Sequence, residues 1–375
     1  MAALDFTSSL YLGFDHAAWD LPSWPRLTLG KPAALEDPPG AAAAEQELAE
    51  LTGCQAAVLA PSTLHLFTDL LPMLAGPGSS IFVDRGAYPV AWWGVQQACA
   101  RGAISTAFGP HDAGELEKVL RPAAGLNPVV VTDGVSVASG RLAPLADYAR
   151  LAARYRGVLV VDDTQAVGLL GGPPFDSVAY GVGGGGSLEH AGVRWSGAIL
   201  VNSLAKALGV PLAMLGGAAA LVSAFRSRSR TRVHCSPPSV AVIAAARRAI
   251  STNRKCGDGL RAALAEKVAR FNRGLDRLGL KSNRSLFPVR PVQLPAGVDA
   301  AALYAEMERA GVHAVLHPES ARARFTFVVT ARFHPDDIDE AVERIEGALA
   351  RASRRSMPAG NVFEGGRIYN AKLQL

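Results

Sequence analysis

Asp162 closes the apolar run Val158-Leu159-Val160-Val161, and Lys206 follows later in a turn of small residues, Ser203-Leu204-Ala205-Lys206-Ala207-Leu208-Gly209. A lysine amine among small neighbours can condense with an aldehyde on a flat ring. A carboxylate can keep a ring nitrogen protonated, so that the ring accepts electrons from a substrate carbon. Together they are what pyridoxal phosphate chemistry needs, and the pair reads as an enzyme whose cofactor is more legible than its substrate. Each residue also has an ordinary alternative. An Asp between strand and helix is commonly an N-cap, and most lysines are solvated. The strand-like run Ala198-Ile199-Leu200-Val201 favours the chemical reading, because it aims the lysine turn at the sheet edge where Asp162 ends.

Further residues fit around that pair. Ser203, three residues before Lys206, can hydrogen-bond a cofactor phosphate. Ser62, Thr63 and Leu64 stand between a strand and a helix, where free amides and two hydroxyls make a phosphate cradle; Ser and Thr also cap helices without any ligand. Tyr88 lies in the loop after a strand and can stack on a pyridine ring, or be an ordinary half-buried tyrosine. Arg226-Ser227-Arg228-Ser229-Arg230-Thr231-Arg232 is the one concentrated source of positive charge. It reads either as a solvated loop or as a grip on an anionic, nucleotide-bearing substrate.

The elements that must position these residues follow from hydrophobic patterning. Short apolar runs at Ala57–Leu59, Ile81–Val83, Val129–Val131, Val158–Val161 and Ala198–Val201 read as strands. Helical stretches at 43–51, 64–74 and 145–156 lie between them. Near-continuous apolar strands alternating with helices predict an α/β large domain with a central, mostly parallel sheet covered on both faces. After Ser236-Pro237-Pro238 comes a long helical stretch from near Val240 to near Leu278, which Gly257 and Gly259 are expected to interrupt. Then follow a strand at 289–294, a helix at 300–311, a strand at 324–330 and a helix at 336–350, a smaller C-terminal α+β domain. The expected division is an N-terminal segment 1–45, a large domain 46–245, a small domain 246–350 and an aperiodic tail 351–375.

Composition sets the class. The chain has 375 residues, 49% hydrophobic and 19% charged, with a net charge of +5. That is globular composition, too mild in charge to imply nucleic acid. No run reaches a membrane span and no signal peptide is evident, so a cytoplasmic protein without membrane attachment is expected. The four cysteines are scattered, which suggests neither a disulfide framework nor a metal site.

Several ordered motifs are similar to fold-type I pyridoxal phosphate enzymes, and most to the α-oxoamine synthases, the 8-amino-7-oxononanoate synthase and 2-amino-3-ketobutyrate ligase group. Phe6-Thr7-Ser8-Ser9-Leu10-Tyr11-Leu12-Gly13 resembles that family's Asn-x-Tyr-Leu-Gly opening. Asp133-Gly134-Val135-Ser136-Val137, followed by Gly140-Arg141-Leu142-Ala143-Pro144-Leu145, resembles its Glu-Gly/Ser-Val-x-Ser segment and sequel. Val161-Asp162-Asp163-Thr164-Gln165-Ala166-Val167-Gly168-Leu169-Leu170-Gly171 resembles Val-Asp-Asp/Glu-Ala-His-x-x-Gly-x-x-Gly. Gly186-Ser187-Leu188-Glu189-His190 resembles Gly-x-x-Glu-His.

The resemblance implies roles. Lys206 would form the Schiff base, and Asp162 would pair with the pyridine nitrogen. Ser203, Thr63 and Leu64 would serve the phosphate. Asp133 takes the place of the family's Glu near the substrate. Arg324, matched with a small gap, or else Arg322, would hold the substrate carboxylate. His234, in Val233-His234-Cys235-Ser236-Pro237-Pro238, would reach the phosphate of a partner subunit, so a homodimer with shared sites is implied. Two family histidines are replaced, the ring-stacking one by Tyr88 and the ring-oxygen one by Gln165. A phenol with a pKa near 10 is a poor base at neutral pH, and an amide cannot titrate. Val137 replaces a serine, and Leu212 a small residue.

The expected activity is a transferase forming a carbon–carbon bond at the α-carbon of an amino acid, with a thioester or nucleotide-bearing co-substrate and a specialised electrophile. An aminotransferase or β/γ-lyase is the alternative, and a non-catalytic binding protein of the same fold a third.

Overall fold

The computed structural model describes residues 3–123, 127–173, 178–295, 297–317 and 324–355. Arg322 and residues 356–375, most of the expected tail, lie outside them. The chain forms two compact units, one of Gly13–Ser136 and Arg141–Gly259, the other of Met1–Leu12, Val137–Gly140 and Leu260–Leu375.

The larger unit is built on a seven-stranded sheet. Its strands are β1 (Ala56–Ala60), β2 (Ser80–Asp84), β3 (Ile104–Phe108), β4 (Val129–Asp133), β5 (Val158–Asp162), β6 (Ala198–Ser203) and β7 (Ala213–Gly217), in the spatial order β1-β7-β6-β5-β4-β2-β3. From β3 across to β6 every pairing is parallel; β7 runs antiparallel to both β6 and β1. Helices α1 (Ala41–Thr52), α2 (Thr63–Leu74), α3 (Pro89–Cys99), α4 (Ala113–Leu120), α5 (Leu145–Arg154), α6 (Ser187–His190), α7 (Ala219–Arg228) and α8 (Arg230–His234) accompany it. Val83, Val131, Val160 and Val201 share one core with Phe67 and Leu70 of α2, Ala91 and Val95 of α3, and Phe225 of α7. Val130, Leu159, Val161 and Leu200 alternate onto the opposite face and are equally buried. Burial on both faces is why these strands read as unbroken apolar runs.

The smaller unit carries a four-stranded antiparallel sheet of β8 (Lys281–Ser282), β9 (Val289–Gln293), β10 (Val315–His317) and β11 (Arg324–Val328), ordered β10-β11-β9-β8. Helices α10 (Ala300–Arg309) and α11 (Pro335–Arg355) belong to it. Leu4–Asp5 pairs in parallel with Val312–His313. Phe6 packs on Phe333 and Phe271, with centroids 4.4 and 5.2 Å apart.

Three expectations are corrected. Helix α9 runs unbroken from Val240 to Arg277, so Gly257 and Gly259 do not interrupt it. Glycine costs a helix about 1 kcal/mol relative to alanine; buried Ile243, Ala246, Ile250, Leu264, Val268 and Phe271 along the same helix outweigh that. The aperiodic tail begins later than position 351, because α11 continues to Arg355. The arginine run 226–232 is not a loop: apart from Ser229 it is helical, in α7 and α8. Arg226 pairs with Asp37 and Glu45, Arg232 donates to Asp37 and the Ala33 carbonyl, and Asp69 accepts from Ser229 and Thr231. Arg226 and Arg232 thus tie residues 33–45 to α7 and α8.

Helices α2 and α3 approach closely at Gly94. A Cβ there would stand 2.7 Å from the Phe67 carbonyl oxygen and 3.0 Å from the Phe67 Cβ. Overpacking of a close helix contact costs about 1–3 kcal/mol. Gly94→Val is therefore expected to lower the urea midpoint by a destabilisation of that size, and an unchanged midpoint would show that the two helices do not pack as described.

Candidate active site

The site grows out of the carboxyl ends of β4, β5 and β6. Asp133 and Asp162 are direct register partners on adjacent parallel strands. Both side chains fall on the face of Val131 and Val160, toward α2 and α3. Carboxyl ends of parallel strands are where such sheets bind ligands. Beyond Asp162 the chain turns at once: the Thr164 amide donates to Asp162 Oδ1 at 3.0 Å. Thr164 Oγ1 in turn accepts from the Ser203 amide at 3.1 Å. One threonine thus ties the end of β5 to the end of β6, three residues before Lys206.

Lys206 sits in the connection between β6 and β7. That turn is closed by the Leu204 amide donating to the Leu212 carbonyl at 2.8 Å and the Val210 amide to the Leu204 carbonyl at 3.0 Å. His16 Nε2 lies 2.9 Å from the Leu208 carbonyl oxygen, a bond that anchors the turn from outside. Gly168 makes the approach possible. Its φ is +84°, and a Cβ on it would come 2.8 Å from the Ala207 Cβ.

Electrostatics couple the two residues. Burial pushes the Asp162 carboxyl above its ordinary range, while the Thr164 hydrogen bonds and the Lys206 charge pull it back. Burial lowers the Lys206 amine, and the Asp162 charge opposes the shift. Asp133 is pushed well above the usual carboxylate range by burial and then by the Asp162 charge; the Tyr88 amide, donating at 3.1 Å, acts the other way. Asp163 is pushed up to about 7 by burial although Ser187 donates to it through both its amide and its hydroxyl.

The remaining predicted residues fall as follows. Tyr88 stands at the N-terminus of α3, just before Pro89, with a half-exposed ring. Gln165 is half-buried in the turn after Asp163. Ser62 is the N-cap of α2, but its hydroxyl makes no bond to the helix amides and lies 2.8 Å from His65 Nδ1. Thr63 and Leu64 form the first turn behind it. The Ser203 hydroxyl accepts from the Ala205 amide at 3.3 Å. His234 ends α8 and is exposed. Arg324 opens β11 in the smaller unit. Thr164, His65 and the Asp163–Ser187 pair were missed. Only Thr164, two residues from Asp162, offered a local signal.

Other features add no competing centre. A cavity of about 530 Å³ along α9 is lined in part by Asp20, Arg247, Arg248 and Lys255 and contains none of the residues above. Its two arginines are paired with Glu47 and Asp20. Among the described residues no cluster of metal-ligating side chains occurs, and no helix is long and apolar enough to cross a membrane.

Asp163 yields a test with a definite sign. Folded, it holds a proton up to about pH 7; unfolded, a carboxyl has lost it above about 3.9. The folded state binds more protons in between, so this group makes stability fall as pH rises from about 4 to about 7. Asp163→Asn should flatten that part of the urea-midpoint profile. An identical slope in the variant would contradict the buried, raised carboxyl.

Comparison with known proteins agrees with this geometry. The model of the aminotransferase class I and II family matches residues 15–345. The 8-amino-7-oxononanoate synthase of Methylococcus capsulatus is 31% identical over 312 residues, covering 82% of this chain and 77% of that protein. In fold the chain is similar to Sphingomonas wittichii serine palmitoyltransferase, with a TM-score of 0.81 at 22% identity over 94% of this chain and 88% of the other. It is also similar to 8-amino-7-oxononanoate synthase from Francisella tularensis, with a TM-score of 0.73 at 19% identity over 93% and 98%. With its parallel sheet, its buried Asp162 and its Lys206 turn, the chain belongs to the class I and II aminotransferase family of pyridoxal phosphate-dependent enzymes, on its α-oxoamine synthase side.

Proposed function

We propose that this enzyme is an α-oxoamine synthase that joins the α-carbon of an amino acid to the acyl carbon of a thioester. The observation that carries the reading is the buried Asp162, coupled to Lys206, in a chain 31% identical to such a synthase over 82% of its length.

The residues present fit the cofactor. Buried, Asp162 is short of positive charge, and a protonated ring nitrogen beside it would restore its ionised form. The first turn of α2 presents amides that the Ser62 hydroxyl leaves uncapped, suited to a phosphate with Thr63, Leu64 and Ser203 around it. When bound, pyridoxal phosphate supplies an electron-accepting ring that stabilises negative charge on the amino-acid α-carbon.

This chain's own residues do the rest. Asp162 would keep the ring nitrogen protonated. Lys206 would carry the cofactor and then serve as base, because burial favours its neutral amine. Tyr88 would cover the ring and Gln165, an amide that cannot titrate, would donate to its oxygen, which leaves proton transfer to Lys206. Asp133, pushed up by burial and by the Asp162 charge, is favoured in its neutral form and would stand near the substrate. Arg324, or alternatively Arg322, would hold the substrate carboxylate. With the α-proton passed to Lys206, the α-carbon would attack the acyl carbonyl; the carbon–sulfur bond breaks as the carbon–carbon bond forms, and the thiolate leaves and takes up that proton. His234, exposed at the end of α8, serves the phosphate of a partner protomer in a homodimer. Tyr88 and Gln165 are the positions at which a specialised electrophile would be accommodated.

The test supplies single amino acids with a panel of acyl-coenzyme A thioesters and follows free thiol. Thiol release that needs both substrates and falls at least about a thousandfold in Lys206→Ala is expected. Conversion of an amino acid to its keto acid with every thioester intact would replace this reading with transamination.

A further inference from the structure

Strand register in the smaller unit lines up four side chains that lie far apart in sequence. Lys281 pairs with Gln293, Gln293 with Arg324, and Arg324 with His317, one from each of β8, β9, β11 and β10. Directly opposed residues of antiparallel strands point to the same face, about 5 Å apart. The four therefore form one transverse row. The opposite face is the packed one: Phe325 and Phe327 are buried there, and Phe325 stacks on Tyr304 of α10 at 6.3 Å.

The row has one sign. None of the four strands contains an acidic residue. Arg324 is half-buried, its Nε is buried without a hydrogen-bond partner, and among the described residues no carboxylate pairs with it. Arg232 and Arg344, also enclosed, each pair with an acid. His317 Nε2 lies 3.0 Å from Thr326 Oγ1, two residues along the strand from Arg324 and on the same face. Burial, and then the Arg324 charge, lower the His317 ring from its ordinary value and so favour its neutral form.

We propose that His317 is a specificity-determining neighbour of Arg324: held by Thr326, it occupies the adjacent cross-strand position with a side chain that cannot neutralise the guanidinium, and so reserves that charge for a ligand carboxylate. The ligand class is an organic carboxylate, with the amide of Gln293 on the other flank as a further donor. A carboxylate side chain at position 317 would pair with Arg324 and close the site. The inference deepens the reading of Arg324 as the carboxylate-holding residue and rests on it.

The test uses full-length protein loaded with pyridoxal phosphate, labelled with ¹⁵N-arginine and ¹⁵N-histidine, and titrated with sodium acetate against sodium chloride. Arg324→Lys and His317→Gln assign the two signals. Acetate, and not chloride, should shift both the Arg324 Nε–H and the His317 ring resonances along one saturable curve. A saturable shift of Arg324 without His317 would uphold the Arg324 reading and overturn this inference; no shift of either would overturn both. His317→Glu should weaken acetate binding at Arg324 at least about tenfold, as an internal ion pair competes with the ligand. Uncharged His317→Gln should stay within about threefold of the parent. Equal affinity in His317→Glu and the parent, or an equal loss in both variants, would overturn the proposal.

Discussion

The burial of the Asp162 carboxylate beside Lys206 is the interaction on which the site depends. A carboxylate taken out of water favours its neutral form unless opposite charge or hydrogen bonds compensate. Here the Thr164 contacts and Lys206 compensate only in part, and Asp162 remains raised. A cationic ring nitrogen is the counter-charge the proposed reading would supply. The same desolvation acts on Lys206 in the other direction and favours a neutral, nucleophilic amine. One environment thus prepares both partners for opposite tasks.

Holding that pair requires the whole sheet. Asp162 can be buried only because β5 has covered neighbours on both sides and on both faces, with β4 and β6 in parallel register. Thr164 then fixes β5 to β6 at the level where β6 gives way to the lysine turn. The antiparallel β7 returns the chain from that turn, so Lys206 is held from both ends. Gly168 lets the turn come close and His16 anchors it from the N-terminal segment. The synthase-type chemistry proposed for the site follows from this frame together with the replacements Tyr88 and Gln165, which leave Lys206 as the group able to move protons.

Legibility in the sequence tracked the range of the interactions. Strands β4, β5 and β6 were visible because burial on both faces demands unbroken apolar runs, Asp162 because it ends such a run, and Lys206 because it follows one in a turn of small residues. Strand β3, Ile-Ser-Thr-Ala-Phe, was not, since as an edge strand it is exposed along most of its length. Strand β7, Ala-Met-Leu-Gly-Gly, hides behind glycines that weaken any strand signal. Helix α3 begins with Pro89 after a loop tyrosine and carries polar residues inside it. The partners that turned the arginine run from a surface feature into a structural clasp, Asp37 and Glu45, lie some 190 residues away. The Asp163–Ser187 pair spans 24 residues. The basic row across the small sheet exists only through antiparallel register. Local patterning carries none of these.

The central claim is that Lys206, and no other lysine, holds the cofactor opposite Asp162. The most direct measurement is reduction of the pyridoxal phosphate-loaded protein with borohydride, followed by peptide mapping for the phosphopyridoxyl mass. The account predicts one stoichiometric label, on the peptide containing Lys206. A label elsewhere, or spread over surface lysines, would contradict it.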